Sequence, residues 1–265
     1  MTAQILALQN RAVIRLSGAD SIKLLQGLVT NDVAKVSSDT AVYAGMLTPQ
    51  GKFLFDMIIV ADGDDLLLDV EASSKPNLIR KLTLYKLRAD VTISDEDTTV
   101  WALFNGTADQ GIAYTDPRHK ALQQRVVATE NPCSTAQDLQ YEAYEERRIR
   151  HGVPDGSRDI IPEKYFWLET NAEKINGVSF SKGCYVGQEL TARMKHRTNL
   201  KKCLTPVRLN GDVQPGDTLK TAEGKPAGEI RTVANGHALA YLRLEHKTAD
   251  LRVGDIAVSV KAAEA

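Results

Sequence analysis

Apolar and polar positions change rhythm twice along this chain. Residues 12–16 form a short apolar run that ends at Ser17-Gly18, which predicts a strand and a turn. Asp20 precedes Ile22, Leu24, Leu25 and Leu28 at helical spacing, which predicts a helix with an acid at its N-cap, closed by Thr30-Asn31-Asp32. Residues 42–47 and 53–60, joined by Thr48-Pro49-Gln50-Gly51, predict a hairpin, and a turn at 62–65 leads to a further run at 66–70. Leu78, Ile79, Leu82 and Leu87 give residues 75–87 one apolar side, as a helix requires. Strands are predicted at 91–93, 100–104 and 124–128, with a polar loop over 105–120 and a helix over 136–150 that stops at Gly152 and Pro154.

Residues 155–175 break the pattern. The stretch is irregular and rich in Pro, Asn and aromatics, and loops of that length are uncommon unless they carry function. From Lys202 onward the rhythm becomes that of an all-β unit. Short strands at 203–209, 227–233, 238–242 and 256–260 are separated by turns at Gly216, Gly224, Gly236 and Gly254, which predicts a small barrel or jelly-roll-like domain.

Composition narrows this picture only a little. A chain of 265 residues with 43% hydrophobic and 25% charged residues is an ordinary globular mix. A net charge of −1 gives no overall pull toward nucleic acid or membrane. No apolar run approaches the roughly 20 residues a bilayer-spanning helix needs, and the first fifteen residues hold no apolar stretch behind a basic start, so neither membrane insertion nor a signal peptide is expected. Three scattered cysteines, Cys133, Cys184 and Cys203, do not make a disulfide framework. They fit a reduced, cytosolic setting, and they are fewer than the four thiolates an iron–sulfur cluster ordinarily takes. No metal site is predicted. No long exposed apolar stripe is evident, so a monomer is expected.

The densest chemistry lies in Lys182-Gly183-Cys184-Tyr185-Val186-Gly187-Gln188-Glu189. A helix starting near Val186 or Gly187 would leave Cys184 on the turn before a helix N-terminus and next to Lys182, and both favour a thiolate. The two glycines would let the backbone approach another surface. Downstream, Arg193, Lys195, His196, Arg197, Lys201 and Lys202 form a basic cluster, either a solvated helix face or a dock for an anion.

This segment resembles the signature of YgfZ-type proteins within the glycine-cleavage T-protein superfamily. Further segments share the likeness: Leu24-Leu25-Gln26-Gly27-Leu28-Val29-Thr30-Asn31-Asp32-Val33, the hairpin from Tyr43 to Asp56, Tyr85-Lys86-Leu87-Arg88-Ala89-Asp90-Val91, Asp116-Pro117-Arg118, and Arg148-Ile149-Arg150-His151-Gly152-Val153-Pro154. Together they span about residues 13 to 203. The resemblance implies an α+β fold built as a three-domain ring around a central cavity. It implies a split first domain at 1–44 with 135–200, an inserted ferredoxin-like domain at 45–134, and a C-terminal β-barrel at 201–265. It also implies a folate-binding accessory factor in assembly or repair of iron–sulfur clusters in client enzymes, with tetrahydrofolate or a one-carbon derivative in the cavity.

On the same footing, Asp56 and Cys184 are the residues expected to do chemistry. Tyr43, Asp56, Glu169, Asn171, Lys182, Gln188, Glu189 and Arg193 are those expected to hold the folate. A carboxylate such as Asp56 can exchange a proton with a pterin or its bridging nitrogen. Partners would be iron–sulfur client or assembly proteins, with nucleic acid not favoured. The T-protein stretch Gly-Tyr-x-Gly-Glu-Asp-Gly is absent, which argues against aminomethyl transfer from a lipoyl carrier. Two alternatives remain open at this level: a one-carbon transferase acting on a small amine or a tRNA base, and a protein-docking module without a small ligand.

Overall fold

The structure, a computed structural model, describes residues 2–197 and 199–261. Its middle is two sheets packed face to face. One holds, in spatial order, β3 (Val42–Leu47), β4 (Phe53–Asp62), β5 (Asp65–Glu71), β2 (Arg11–Ser17) and β6 (Thr92–Glu96), all antiparallel. The other holds β10 (Gln137–Asp138), β1 (Gln4–Ala7), β7 (Thr99–Phe104), β9 (Gln124–Ala128) and β8 (Ile112–Thr115). The hairpin of β3 and β4 spans residues 44–45 and pairs within one sheet, with a register shift between Met46 and Leu47.

Strand alternation sorts the two faces of the first sheet. Ile14, Leu16, Met57, Ile59, Leu66 and Leu68 turn outward and are covered by α1 (Ser21–Leu28) and α2 (Lys75–Lys86), through Leu25, Leu28, Leu78 and Leu82. Val13, Tyr43, Ile58, Val60 and Leu67 turn inward against Val100, Ala102, Phe104 and Val127 of the second sheet. Burial on both faces explains why β3 and β4 read as near-continuous apolar runs, with Asp56 the one charge inside them before the strand end at Asp62. It also places Asp56, on the Ile58 side of β4, between the sheets.

The remaining helices are α3 (Tyr141–Arg150), α4 (Gly156–Asp159) and α5 (Gln188–Arg197). The expected loop at 155–175 is a buried strap: Ile160, Tyr165, Trp167, Ala172 and Ile175 all enter the main core. Trp167 stacks on Phe53 at 5.7 Å and donates from Nε1 to the Gly177 carbonyl at 2.9 Å. The C-terminal unit is a closed six-stranded barrel of β11 (Lys202–Leu209), β14 (His237–Arg243), β13 (Pro226–Ala234), β12 (Thr218–Thr221), β15 (Leu251–Val253) and β16 (Ile256–Val260). The α+β class and the small C-terminal barrel are therefore as expected.

Three local expectations change. The Asp20 side chain does not cap α1; its Oδ2 instead accepts from the Asp90 N–H at 2.9 Å and ties the helix start to the turn after α2. The polar stretch 105–120 contains β8, recruited by pairing with β9. The helix expected from 136 begins at Tyr141, because Gln137 and Asp138 pair with β1.

Candidate functional site

Between the two sheets lies a buried network of charges. Asp69, in the middle of β5, accepts from Arg11 Nε at 2.7 Å and from the Tyr114 hydroxyl at 2.9 Å, and it pairs with Arg125. Arg125 reaches on to Asp116 at 3.0 Å and to the Tyr144 hydroxyl at 2.9 Å. Asp116 takes a forked pair of bonds from Arg118, Nε to Oδ1 at 2.9 Å and Nη2 to Oδ2 at 2.7 Å. Burial alone would raise both carboxyls, but the guanidinium groups win. Arg11 and Arg125 hold Asp69 below its ordinary value, and Arg118 and Arg125 bring Asp116 down to about 2. Residues 11, 69, 118 and 125 were not anticipated as a cluster; the one sequence signal is a charge inside an apolar run, as in Leu67-Leu68-Asp69-Val70.

Asp56 and Tyr43 belong to the edge of this network. The Tyr43 hydroxyl donates to Asp56 Oδ2 at 3.0 Å, and the two residues are 0% and 2% exposed. Burial pushes the Asp56 carboxyl above its usual range, against the pull of Arg11, and burial raises the Tyr43 phenol as well. The other expected ligand contacts are used inside the protein too. Glu169 Oε2 accepts from the Phe166 N–H at 3.0 Å and from the Tyr241 hydroxyl of β14 at 2.8 Å, which joins the strap to the barrel. Asn171 sits in the left-handed region at φ 65°. Its Nδ2 donates to the Gly152 and Leu204 carbonyls at 3.0 and 2.9 Å, and its Oδ1 accepts from the Cys203 thiol at 3.2 Å.

Lys182 is the clearest departure. Its ammonium donates to the carbonyls of Gln26 at 2.8 Å, Val29 at 2.7 Å and Asn31 at 2.8 Å. Those groups surround the C-terminal end of α1, where helix carbonyls lack intrahelical partners and a cation is favoured. All three protons of Lys182 thus go to backbone oxygens rather than to the neighbouring thiol, and burial lowers the ammonium to about 8. The helix expected at Val186 or Gly187 starts at Gln188, so Cys184 lies on the loop before it. Cys184 is an exposed free thiol, whereas Cys133 and Cys203 are buried. On α5, Gln188 is half-buried, and Glu189 and Arg193 are exposed.

The expected folate ligands therefore do not converge as they stand. Tyr43 lines a cavity of about 510 Å³ with Pro117 and Phe180, while Asn171 lines a different one of about 650 Å³ beside the barrel. Asp56, Glu169 and Lys182 are held by partners of the protein's own. What the structure does present to solvent is one thiol, on a loop anchored on one side by Lys182 and on the other by Gly187. At Gly187, φ +84° and a backbone 2.7 Å from the position a Cβ would need exclude any other residue without strain.

Comparison with known proteins agrees with this frame. Residues 201–264 match the family model of the CAF17 C-terminal beta-barrel domain. The fold is that of an aminomethyltransferase: the glycine cleavage system aminomethyltransferase T from Bartonella henselae superposes with a TM-score of 0.79, over 98% of this chain and 85% of that one, at 14% identity. The chain is 32% identical to the mitochondrial iron–sulfur cluster assembly factor IBA57 of Homo sapiens, over 89% of this chain and 76% of that protein. It is 33% identical to the same factor of Mus musculus, over 90% and 77%. These relatives are named as mitochondrial, which contradicts the cytosolic setting expected from cysteine usage; a reduced thiol count does not separate one reducing compartment from another. On identity and coverage together, the chain belongs to the IBA57 family of iron–sulfur cluster assembly factors.

Proposed function

We propose that this chain is an accessory factor in the assembly or repair of iron–sulfur clusters in client enzymes, of the YgfZ-type branch, and that Cys184 is its working residue. The carrying observation is the exposed thiol of Cys184 on a loop fixed by Lys182 and Gly187, in a chain whose other two cysteines are buried. One thiolate cannot hold a cluster alone. The cluster is therefore cargo, and Cys184 supplies a single ligand while a partner protein supplies the rest. The open surface around Gly183, with no atom other than those of Gly183 and its chain neighbours within 4 Å of where a side chain would begin, leaves room for that partner.

The motif resemblance adds tetrahydrofolate to the proposal as a ligand. A folate reaching Asp56 must first displace the Tyr43 hydroxyl, which donates to that carboxylate at 3.0 Å. A single set of variants tests both parts. In a strain lacking this gene, Cys184→Ala is expected to restore less than about a tenth of the client-enzyme activity that the unmodified chain restores, since losing even an outer partner of a metal ligand costs about tenfold or more. Full restoration by Cys184→Ala ends the cysteine reading. Calorimetric titration with reduced tetrahydrofolate is expected to give binding that Asp56→Ala weakens and Cys184→Ala leaves intact; no heat with the unmodified chain removes the folate.

A further inference from the structure

The barrel meets the rest of the molecule along a basic groove. Two cavities, of about 650 and 360 Å³, share Pro206 and Lys261 as walls and so run into one another along β11. Among the described residues, the side chains lining them include Lys174, Lys195, Lys247, Lys261, Arg150 and Arg208, against one carboxylate, Glu173, which is paired with Lys195. Arg150 is itself 3.4 Å from Glu146, which lies outside the groove. This concentration of positive charge stands on a chain whose net charge is −1. Opposite charge is what such a cleft attracts and focuses.

The floor is apolar, with Leu168, Met194, Leu200, Leu204 and Leu244. An occupant must therefore bring apolar side chains as well as negative charge. Among the described residues, no Phe, Tyr or Trp, the rings on which single-stranded bases stack, lines either cavity. Four of the six cations are lysines, point charges suited to carboxylates, rather than the forked guanidinium that reads phosphate in two bonds. The groove also has a direction. It follows β11, where β16 pairs with Val207, Arg208 and Leu209 and the Lys261 N–H donates to the Pro206 carbonyl at 3.0 Å.

We propose that this groove binds an extended acidic segment of a partner protein, with Asp or Glu facing the lysines and Leu-like side chains on the floor. The proposal rests on the reading that the chain works with partner proteins, and it adds where one of them is held. Met194 and Lys195, which line the groove, are on α5, the helix that follows the Cys184 loop. At 1.5 Å per residue, Gln188 and Lys195 are about 10 Å apart along that helix. A partner seated in the groove is thus one short helix away from the thiol.

The test uses the full chain and fluorescence anisotropy with a labelled peptide of about twelve residues, mostly Glu with Leu at every fourth position. Saturable binding is expected, weakened about tenfold in Lys174→Glu/Lys247→Glu and strongly weakened by roughly 0.3 M salt. The same peptide with Gln for Glu is expected not to saturate. Both lysines are exposed, so the double variant keeps the fold, and a matching circular dichroism melt verifies that. Cys184→Ala is expected to bind as the unmodified chain does, which keeps failure of the thiol reading apart from failure of this one. Equal binding by the lysine variant, no preference for the acidic peptide, or tighter binding of a labelled single-stranded oligonucleotide of the same length overturns the proposal.

Discussion

A lysine whose three protons all meet backbone carbonyls does structural work however it looks in a motif. Lys182 closes the end of α1 through the carbonyls of Gln26, Val29 and Asn31, and so fixes the loop that carries Cys184 to a helix more than 150 residues earlier in the chain. Lys182→Met keeps the stem but leaves three acceptors at a buried site without a donor. It is expected to cost about 3 kcal/mol of stability, as loss of a charged donor with its acceptors left unmade does. Urea unfolding measures this, and a change below about 0.5 kcal/mol shows that water replaces the ammonium. The sequence could not display this role. It shows Lys182 two residues from Cys184, and proximity along the chain suggests a pair. The partners that claim the ammonium come from residues 26–31, far back along the chain, and a single sequence carries no record of that contact. Asp56 was legible as far as alternation goes: Phe55 and Met57 do face the helices and Asp56 the sheet interface. That Tyr43 would already occupy it was not.

Among elements, the strongly patterned ones were readable and the short recruited ones were not. The hairpin β3–β4, helix α2 and the strands β11, β13, β14 and β16 announce themselves by runs and periodicity. β1, β8, β10, β12 and β15 have two to four residues each and exist because a neighbour offers a free edge. The start of α5 belongs between these cases. Gly183 and Gly187 read alike in the sequence, as positions where the backbone comes close to something, yet only Gly187 does. A Cβ there would meet the Thr48 carbonyl oxygen at 2.7 Å and Leu47 Cβ at 3.0 Å, in a backbone conformation with φ +84°. Through it the helix start is seated on the turn of the β3–β4 hairpin. Gly187→Ala is expected to cost at least about 2 kcal/mol, from left-handed strain together with the clash. Gly183→Ala, facing open space, is expected to stay within about 0.5 kcal/mol. Thermal melts of the two variants side by side decide the matter, and equal losses would mean that the contact at Thr48 relaxes freely.

At the scale of the whole molecule, ionic bonds inside the core do the joining that loops of this length cannot. Arg11 and Asp69 of the first sheet meet Arg125 of the second; Arg125 meets Asp116, and Asp116 meets Arg118. Arg148 of α3 binds Asp159 at 2.7 Å, and Asp159 in turn accepts from the Thr232 hydroxyl of β13 at 2.6 Å, so the chain of contacts ends in the barrel. A network of this kind is a weak source of net stability but a severe point of failure, because removing one partner strands a buried charge. It also sets a pH signature. Asp116 is ordinarily ionised above 3.8 and in the folded chain is held down to about 2, chiefly by Arg118 against the effect of burial. A carboxyl depressed in this way contributes stability that is fully present above 3.8 and lost as the pH falls through about 2, an amount of about 2 kcal/mol. Asp116→Asn removes that contribution and leaves Arg118 and Arg125 short of an anion, so at pH 7 it is expected to be about 4 kcal/mol less stable than the unmodified chain. The difference should narrow by about 2 kcal/mol between pH 4 and pH 2, where Asp116 itself becomes neutral. Denaturant unfolding of both chains across that range reads the gap directly. A gap that stays constant as the pH falls would mean that Asp116 holds its place by shape alone, and that the two arginines find their counter-charge in Asp69 and in water.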